Sequence, residues 1–218
     1  KLRAFVRDYD LYVKDLSGKE TPLTRDGHED LRNGFPDWVY PEELHQYDAF
    51  WWSPDSRRIA YMQFDESPVA KYPLVHDVQP APRLELQSYP KAGANNPIVR
   101  LFVVEVDSRK TVQIDTGIET NVYLYRGRWT PGGKEFTYLR LNRLQNAVEL
   151  FAAEPATGET RLVLPDEDPC YIDENFDRIF LADGKRFLWP SERSGWRELY
   201  LYDLDGRLVK QLTDAKSF

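Results

Sequence analysis

The sequence predicts an all-β fold that is built from repeated four-stranded antiparallel sheets. A strand–turn–strand pattern recurs along the 218 residues, and the composition suits strands. Aromatic residues make up 14% of the chain, with 13 Tyr and 6 Trp, and such side chains pack well on a pleated surface. Hydrophobic and charged residues contribute 41% and 30%, a normal globular balance that allows a packed core.

Four segments share a hairpin pattern that consists of an alternating strand, a turn rich in Asp, Gly or Ser, and a second alternating strand. They begin at Leu11, Leu101, Leu150 and Leu199, and the last three starting points lie 49 residues apart. Self-similarity at a fixed period is the signature of a repeat architecture. The chain is therefore predicted to repeat one structural unit.

A second repeated element precedes three of these hairpins. In this element a strand ends at Trp or Phe, a turn of Pro, Asp or Gly reverses the chain, and an alternating strand returns. The copies cover residues 52–61, 129–138 and 180–189, and the third is the weakest. Two hairpins in tandem form one four-stranded sheet, and a period of about 40–50 residues is typical of a propeller blade. We expect a partial β-propeller of about three blades plus part of a fourth; a complete β-sandwich is the alternative.

One interval in this pattern is long. From Pro54 to Leu101 there are 47 residues, whereas the equivalent interval from Pro131 to Leu150 has 19. The extra residues lie within 63–97, where several prolines predict an irregular or edge-like segment. An insertion of this size in a regular array is more often functional than not, and a flap over a blade edge is the alternative.

Charge and cysteine content exclude some classes of partner. The net charge of −7 disfavours nucleic acid, because each phosphate contact needs a cation. It is compatible with a cationic ligand, although solubility alone is the simpler explanation. Cys170 is the single cysteine and the three histidines are scattered, so we expect no internal disulfide, metal or cofactor. No run of about 18 apolar residues is present, which predicts no membrane-spanning helix.

Two adjacent glutamates, Glu42 and Glu43, are the candidate binding residues. They lie in an irregular stretch, 34–44, where Pro41 suits the first turn of a short helix. Adjacent side chains diverge by about 100° on a helix, whereas on a strand they point to opposite faces. One helical turn can therefore direct both carboxylates at one amino-terminal ammonium, which offers three charged donors. Chance is the alternative, since 36 of the 218 residues are acidic.

At these residues the sequence resembles dipeptidyl peptidase IV-like enzymes of the prolyl oligopeptidase superfamily. The segment Asp-Trp-Val-Tyr-Pro-Glu-Glu and the Phe-Trp-Trp-Ser-Pro-Asp that follows it resemble the family's substrate-anchoring region. Further similar stretches occur in the family's order. The matching ranges are 37–43, 50–55, 59–65, 89–97 and 191–200. The resemblance runs from about Phe5 to Thr213 and is closer to the bacterial branch.

This resemblance implies that the chain is part of an eight-bladed propeller joined to a carboxy-terminal α/β-hydrolase domain. It implies an activity that removes X-Pro or X-Ala dipeptides from peptide amino termini, with Glu42 and Glu43 binding the substrate ammonium. The family carries its nucleophilic serine in a Gly-x-Ser-x-Gly turn, and this pattern does not occur in the sequence. We therefore expect this chain to hold no catalytic residue and to be inactive alone. Pro41 departs from the family, which often has a third acid at that position.

The resemblance also implies roles for other segments. Tyr171 or Phe176 is the candidate for an aromatic wall of the substrate pocket, and a core position is the alternative for either. The insertion within 63–97 corresponds to an extension through which relatives form homodimers. A periplasmic or secreted location is favoured, with the cytoplasm as the alternative. The competing functions are a non-catalytic propeller that serves as a protein-interaction scaffold, and the propeller of a related serine peptidase with another specificity.

Overall fold

The computed structural model describes residues 1–78, 80–173 and 177–214. Within these ranges the regular secondary structure consists of β-strands and one short helix. The elements in chain order are β1 (Leu2–Arg7), β2 (Asp10–Asp15), β3 (Glu20–Pro22), β4 (Leu31–Asn33), α1 (Val39–Glu43), β5 (Phe50–Trp52), β6 (Arg58–Asp65), β7 (Lys71–His76), β8 (Arg83–Ser88), β9 (Ile98–Glu105), β10 (Thr111–Gln113), β11 (Val122–Trp129), β12 (Phe136–Asn142), β13 (Ala147–Ala153), β14 (Thr160–Glu167), β15 (Ile179–Phe180), β16 (Arg186–Ser191), β17 (Glu198–Asp203) and β18 (Leu208–Gln211).

The strands form antiparallel sheets whose order follows the sequence repeat. Strands β11-β12-β13-β14 and β15-β16-β17-β18 each form a four-stranded sheet in chain order, and β1-β2-β3 form a three-stranded one. A five-stranded sheet has the order β10-β9-β6-β4, with β5 paired to β6. The predicted all-β class with four-stranded antiparallel sheets is therefore confirmed.

The chain divides into two compact units. The first comprises Lys1–Ala49 and Met62–Val99, and the second comprises Phe50–Tyr61 and Arg100–Phe218. The first unit contains β1 to β4, α1, β7 and β8, and the second contains β5 and β10 to β18; β6 and β9 contribute residues to both. No helix in the described ranges is long and apolar enough to cross a membrane.

The turn of the second repeated element closes in the same way in all three copies. A backbone N–H at the start of the turn donates to the carbonyl five residues later. These bonds run from Ser53 to Arg58 (2.9 Å), from Thr130 to Glu135 (3.0 Å) and from Leu181 to Arg186 (2.9 Å). Ser53 and Thr130 add a hydroxyl that accepts the N–H of the fifth residue, which Leu181 cannot do. The third copy is thus confirmed, and it lacks the side-chain hydrogen bond that the first two copies share.

Thr130→Val is expected to lower the free energy of unfolding by about 1 kcal/mol. Thr130 is buried, and its Oγ1 accepts the Glu135 N–H and donates to the Glu135 carbonyl, both at 3.2 Å. Valine keeps the shape but removes the hydroxyl that accepts that N–H. Urea unfolding would measure the change, with the exposed Thr120→Val as the control. Equal losses in the two variants would contradict the role of the hydroxyl.

Two turn glycines of the second unit lie against the preceding sheet. Gly158, between β13 and β14, and Gly206, between β17 and β18, have φ of +81° and +83°. A Cβ at Gly158 would overlap the carbonyl oxygen of Gln113, and one at Gly206 would overlap that of Val163. Only glycine adopts this backbone readily and allows so close an approach. In these two repeats, the turn between the third and fourth strands of a sheet contacts the backbone of the sheet that precedes it in the chain.

The insertion within 63–97 contains a two-stranded hairpin. Strands β7 and β8 pair antiparallel from Lys71 with Ser88 to His76 with Arg83, and β6 takes up the first residues of the range. The predicted irregular conformation holds for the proline-bearing stretch 89–97, which lies outside any helix or strand, whereas Pro73 is accommodated within β7. The predicted edge character is confirmed, since β7 and β8 form a sheet of two strands, where proline is tolerated.

Candidate functional site

Helix α1 is a single short helical turn that is anchored by its apolar side chains. Val39 and Tyr40 are buried, as is Leu44 directly after the helix. The Tyr40 ring meets Phe64 of β6 edge to face, with 4.8 Å between the ring centroids. The Leu44 N–H donates to the Tyr40 carbonyl at 3.1 Å. The buried side of α1 is thereby fixed on β6.

The local sequence explains why a helix forms here. Asp37 precedes it, and its Oδ1 accepts the Tyr40 N–H at 3.2 Å, which supplies a partner for one of the unpaired amides of a first turn. Pro41 falls in the first turn, where its missing N–H costs nothing. His45 follows with φ of +49°, a left-handed residue of the kind that ends helices. The predicted short helix is thus present.

Glu42 and Glu43 are both exposed on α1. On one helical turn their side chains diverge by about 100°, so both carboxylates can reach the same ligand. Neither forms a salt bridge or hydrogen bond with any part of the chain that the structure describes. Two neighbouring carboxylates without a cation repel each other. Chemically, this pair is suited to hold a group that carries a positive charge and more than one N–H donor.

Aromatic contacts hold the residue before α1. The Trp38 and Tyr89 rings meet edge to face with 4.4 Å between centroids, and Tyr72 lies 5.9 Å from Tyr89. Lys91 Nζ lies 4.9 Å from the centre of the Tyr72 ring. Tyr72 belongs to β7, and Tyr89 directly follows β8. The base of the β7–β8 hairpin therefore packs against the start of the segment that carries the two glutamates.

Asp37 and Glu66 are deeply buried carboxyl groups of this unit, and the sequence did not single them out. Asp37 is 3% exposed and Glu66 is 1% exposed. Glu66 Oε2 pairs with Arg32 Nη2 at 3.0 Å, and burial nevertheless raises the pKa of Glu66. Burial also raises the pKa of Asp37 to about 6. A signal for Asp37 was available, because this acid stands among apolar neighbours from Phe35 to Val39.

The predicted aromatic wall has a mixed outcome. Tyr171 lies between β14 and β15 in the second unit and is half exposed. Its backbone N–H donates to Asp168 Oδ1 at 3.1 Å. The core position that was the alternative for Tyr171 is therefore wrong, and its role as a pocket wall stays a prediction. Phe176 lies outside the described residues.

Comparison with known proteins decides the family. The family model of the dipeptidyl peptidase IV (DPP IV) N-terminal region matches residues 2–217. The chain belongs to this family. The resemblance that the sequence motifs indicated is thus confirmed over almost the whole length.

Individual relatives agree with this assignment. A probable dipeptidyl peptidase 4 of Trichophyton verrucosum is 31% identical over 98% of this chain. A dipeptidyl peptidase 4 of Arthroderma otae is 32% identical over the same share. The crystal structure of Porphyromonas gingivalis dipeptidyl peptidase 4 superposes with a TM-score of 0.92 at 32% identity and also covers 98% of this chain. The partial propeller predicted from the repeats is confirmed by this match.

The chain spans about a third or less of the relatives it matches. It covers 30% of the Trichophyton verrucosum protein, 29% of the Arthroderma otae protein and 31% of the Porphyromonas gingivalis chain. The fuller-length relatives therefore contain much more chain than the region described here. Within such a protein, this chain corresponds to part of the N-terminal domain.

Proposed function

We propose that this chain is the substrate-anchoring propeller region of a serine dipeptidyl aminopeptidase. In this proposal Glu42 and Glu43, together called the amine site, bind the ammonium group of a peptide's amino terminus. The parent enzyme then removes X-Pro or X-Ala dipeptides. The observation that carries the proposal is the pair of exposed carboxylates on one helical turn, unpaired within the described ranges, in a chain of this family.

The amine site supplies specificity through position. An ammonium has three donors, and two carboxylates can accept from it through charge-assisted hydrogen bonds. A carboxy-terminal α/β-hydrolase domain of the same protein supplies the nucleophile. When the amino terminus is held at a fixed distance from that nucleophile, a single peptide bond reaches it. Orientation then selects the bond after the second residue.

The proposal predicts strong discrimination against blocked amino termini. The experiment uses the full-length parent protein that contains this chain. Acetylation of the amino terminus of a Gly-Pro reporter should lower kcat/KM roughly 30–1000-fold. The acetyl group removes the charge and leaves both carboxylates unpaired. The comparison requires hydrolysis rates of the free and acetylated reporters at equal concentrations. Equal rates would contradict an amine-anchoring function.

A matched pair of reporters separates this effect from a general steric one. N-methylation of the same reporter also adds a carbon, yet the methylated amine keeps its positive charge and two donors. We expect the methylated reporter to retain far more activity than the acetylated one. Similar losses for both would indicate that bulk, and not charge, is rejected, and would favour a related peptidase with another specificity.

A further inference from the structure

Asp37 is a buried acid at the start of the segment that carries the amine site. One of its carboxyl oxygens, Oδ1, accepts the Tyr40 N–H at 3.2 Å. The other, Oδ2, is buried and receives no hydrogen bond from the described residues. A buried polar atom without a partner is rare in proteins and calls for an explanation. The partner of Oδ1 is an amide of α1, so Asp37 is tied to the helix that carries Glu42 and Glu43.

From this geometry we propose that Asp37 is a positioning residue for the amine site: its ionised carboxylate holds the first turn of α1 and adds a third negative charge at the start of the segment that carries Glu42 and Glu43. This inference rests on the proposed function. A charged acceptor forms a stronger bond to a backbone N–H than a neutral one. The ionised form of Asp37 therefore holds the Tyr40 amide, and with it the direction of the helix, more firmly than the protonated form.

The charges around Asp37 oppose each other. On the side of α1, amide donors favour its ionised form. The carboxylate of Glu66, which directly follows β6, disfavours the ionised form of Asp37, while Arg32 of β4 favours the ionised form. Lys71 of β7 and Ser88 of β8 act on Glu66. Burial outweighs the favourable contacts and raises the pKa of Asp37 to about 6, so the group changes charge within an accessible pH range.

This arrangement gives binding and stability opposite pH dependences. Amine affinity should rise as pH increases through about 6, because Asp37 becomes ionised and attracts the ammonium. Folding stability should change in the other direction. The ordinary pKa of Asp is 3.8 and the folded one is higher, so the folded state binds more protons between these values. The Asp37 contribution to stability is therefore lost as pH rises from 3.8 to about 6.

The test uses the full-length parent protein and the dipeptide Val-Pro, a product whose amino group stays protonated below its pKa of about 7.7–8.0. Calorimetric titration at pH 5 and pH 7 should show wild-type affinity rising roughly fivefold to tenfold. Asp37→Asn keeps an oxygen that can accept the Tyr40 N–H but cannot ionise. It should bind Val-Pro with the low affinity that the wild type has at pH 5, at both pH values.

Urea unfolding of the same two proteins gives a readout that needs no ligand. Relative to Asp37→Asn, the wild type should lose stability between pH 4 and pH 6. If Asp37→Asn does not fold, Asp37→Ser replaces it, because a serine hydroxyl also accepts at this position without titrating. An equal rise in affinity in wild type and variant, or equal pH profiles of unfolding, would overturn the inference.

The design separates this inference from the proposed function. If Glu42→Gln and Glu43→Gln leave Val-Pro binding unchanged, the amine site itself is wrong. If those variants weaken binding and Asp37→Asn keeps the wild-type pH dependence, the amine site stands and the role of Asp37 is wrong. A purely structural role would lower stability and affinity together at every pH, which differs from the opposite trends expected here.

Discussion

Replacing Glu43 with Gln is expected to lower kcat/KM of the full-length peptidase for a dipeptide reporter roughly 30–1000-fold. Gln keeps the shape of the side chain and removes its charge, so the substrate ammonium loses a charge-assisted acceptor. Glu43 is exposed on α1, and the buried residues Val39 and Tyr40 hold the helix. The substitution should therefore leave folding intact. Steady-state kinetics and a thermal melt of the same preparation measure both effects.

The controls make this prediction specific to the amine site. Glu159→Gln removes the same charge from an exposed position on the turn between β13 and β14, and its kinetics should match the wild type. In Glu43→Gln, the ratio of rates for free and acetylated reporters should also shrink. A variant that keeps wild-type kinetics and the full ratio would remove Glu43 from the site, and Glu42→Gln would then decide whether its neighbour acts alone.

Gly206→Ala is expected to lower the free energy of unfolding by about 3 kcal/mol or more. Two causes add: alanine is strained at φ of +83°, and its Cβ would overlap the backbone carbonyl of Val163. A carbonyl in a strand cannot move aside as a flexible side chain can. Gly158→Ala should behave alike, because its φ is +81° and its Cβ would meet the carbonyl of Gln113.

Gly195→Ala separates the two causes. Gly195 has φ of +90°, but no atom lies within 4 Å of a Cβ built there. It carries the backbone strain alone, and its loss should be about 1 kcal/mol. Urea unfolding of the three variants under one set of conditions gives the comparison. Equal losses for Gly195→Ala and Gly206→Ala would show that contact with the preceding sheet contributes nothing.

The sequence revealed those parts of the fold that depend on local chemistry. Alternating strands, turn residues and the 49-residue spacing gave the antiparallel sheets. Pro41 indicated the short helix that contains Glu42 and Glu43, and the structure has α1 at this position. These features depend on backbone preferences of neighbouring residues, which a single sequence records directly.

Features that depend on distant contacts were missed. The prolines indicated an irregular or edge-like insertion, but they did not reveal that β7 and β8 pair with each other in a sheet of two edge strands, where Pro73 is tolerated. Asp37 and Glu66 are 29 residues apart in sequence, and each is buried by elements that the chain brings together only on folding. Tyr171 was given a core position as its alternative, but it is half exposed, because aromatic identity alone does not fix burial.

The contact made by Gly158 and Gly206 also bears on how such repeats evolve. Its partners are carbonyl oxygens, so the side chains of Gln113 and Val163 can be exchanged without loss of the contact. A deletion of one residue in the turn would instead move a residue with a Cβ into the glycine position. In these units a change of turn length should therefore cost more stability than a change of side chain at the contacted strand residues. The β7–β8 hairpin is inserted between β6 and β9 and leaves the length of both turns unchanged.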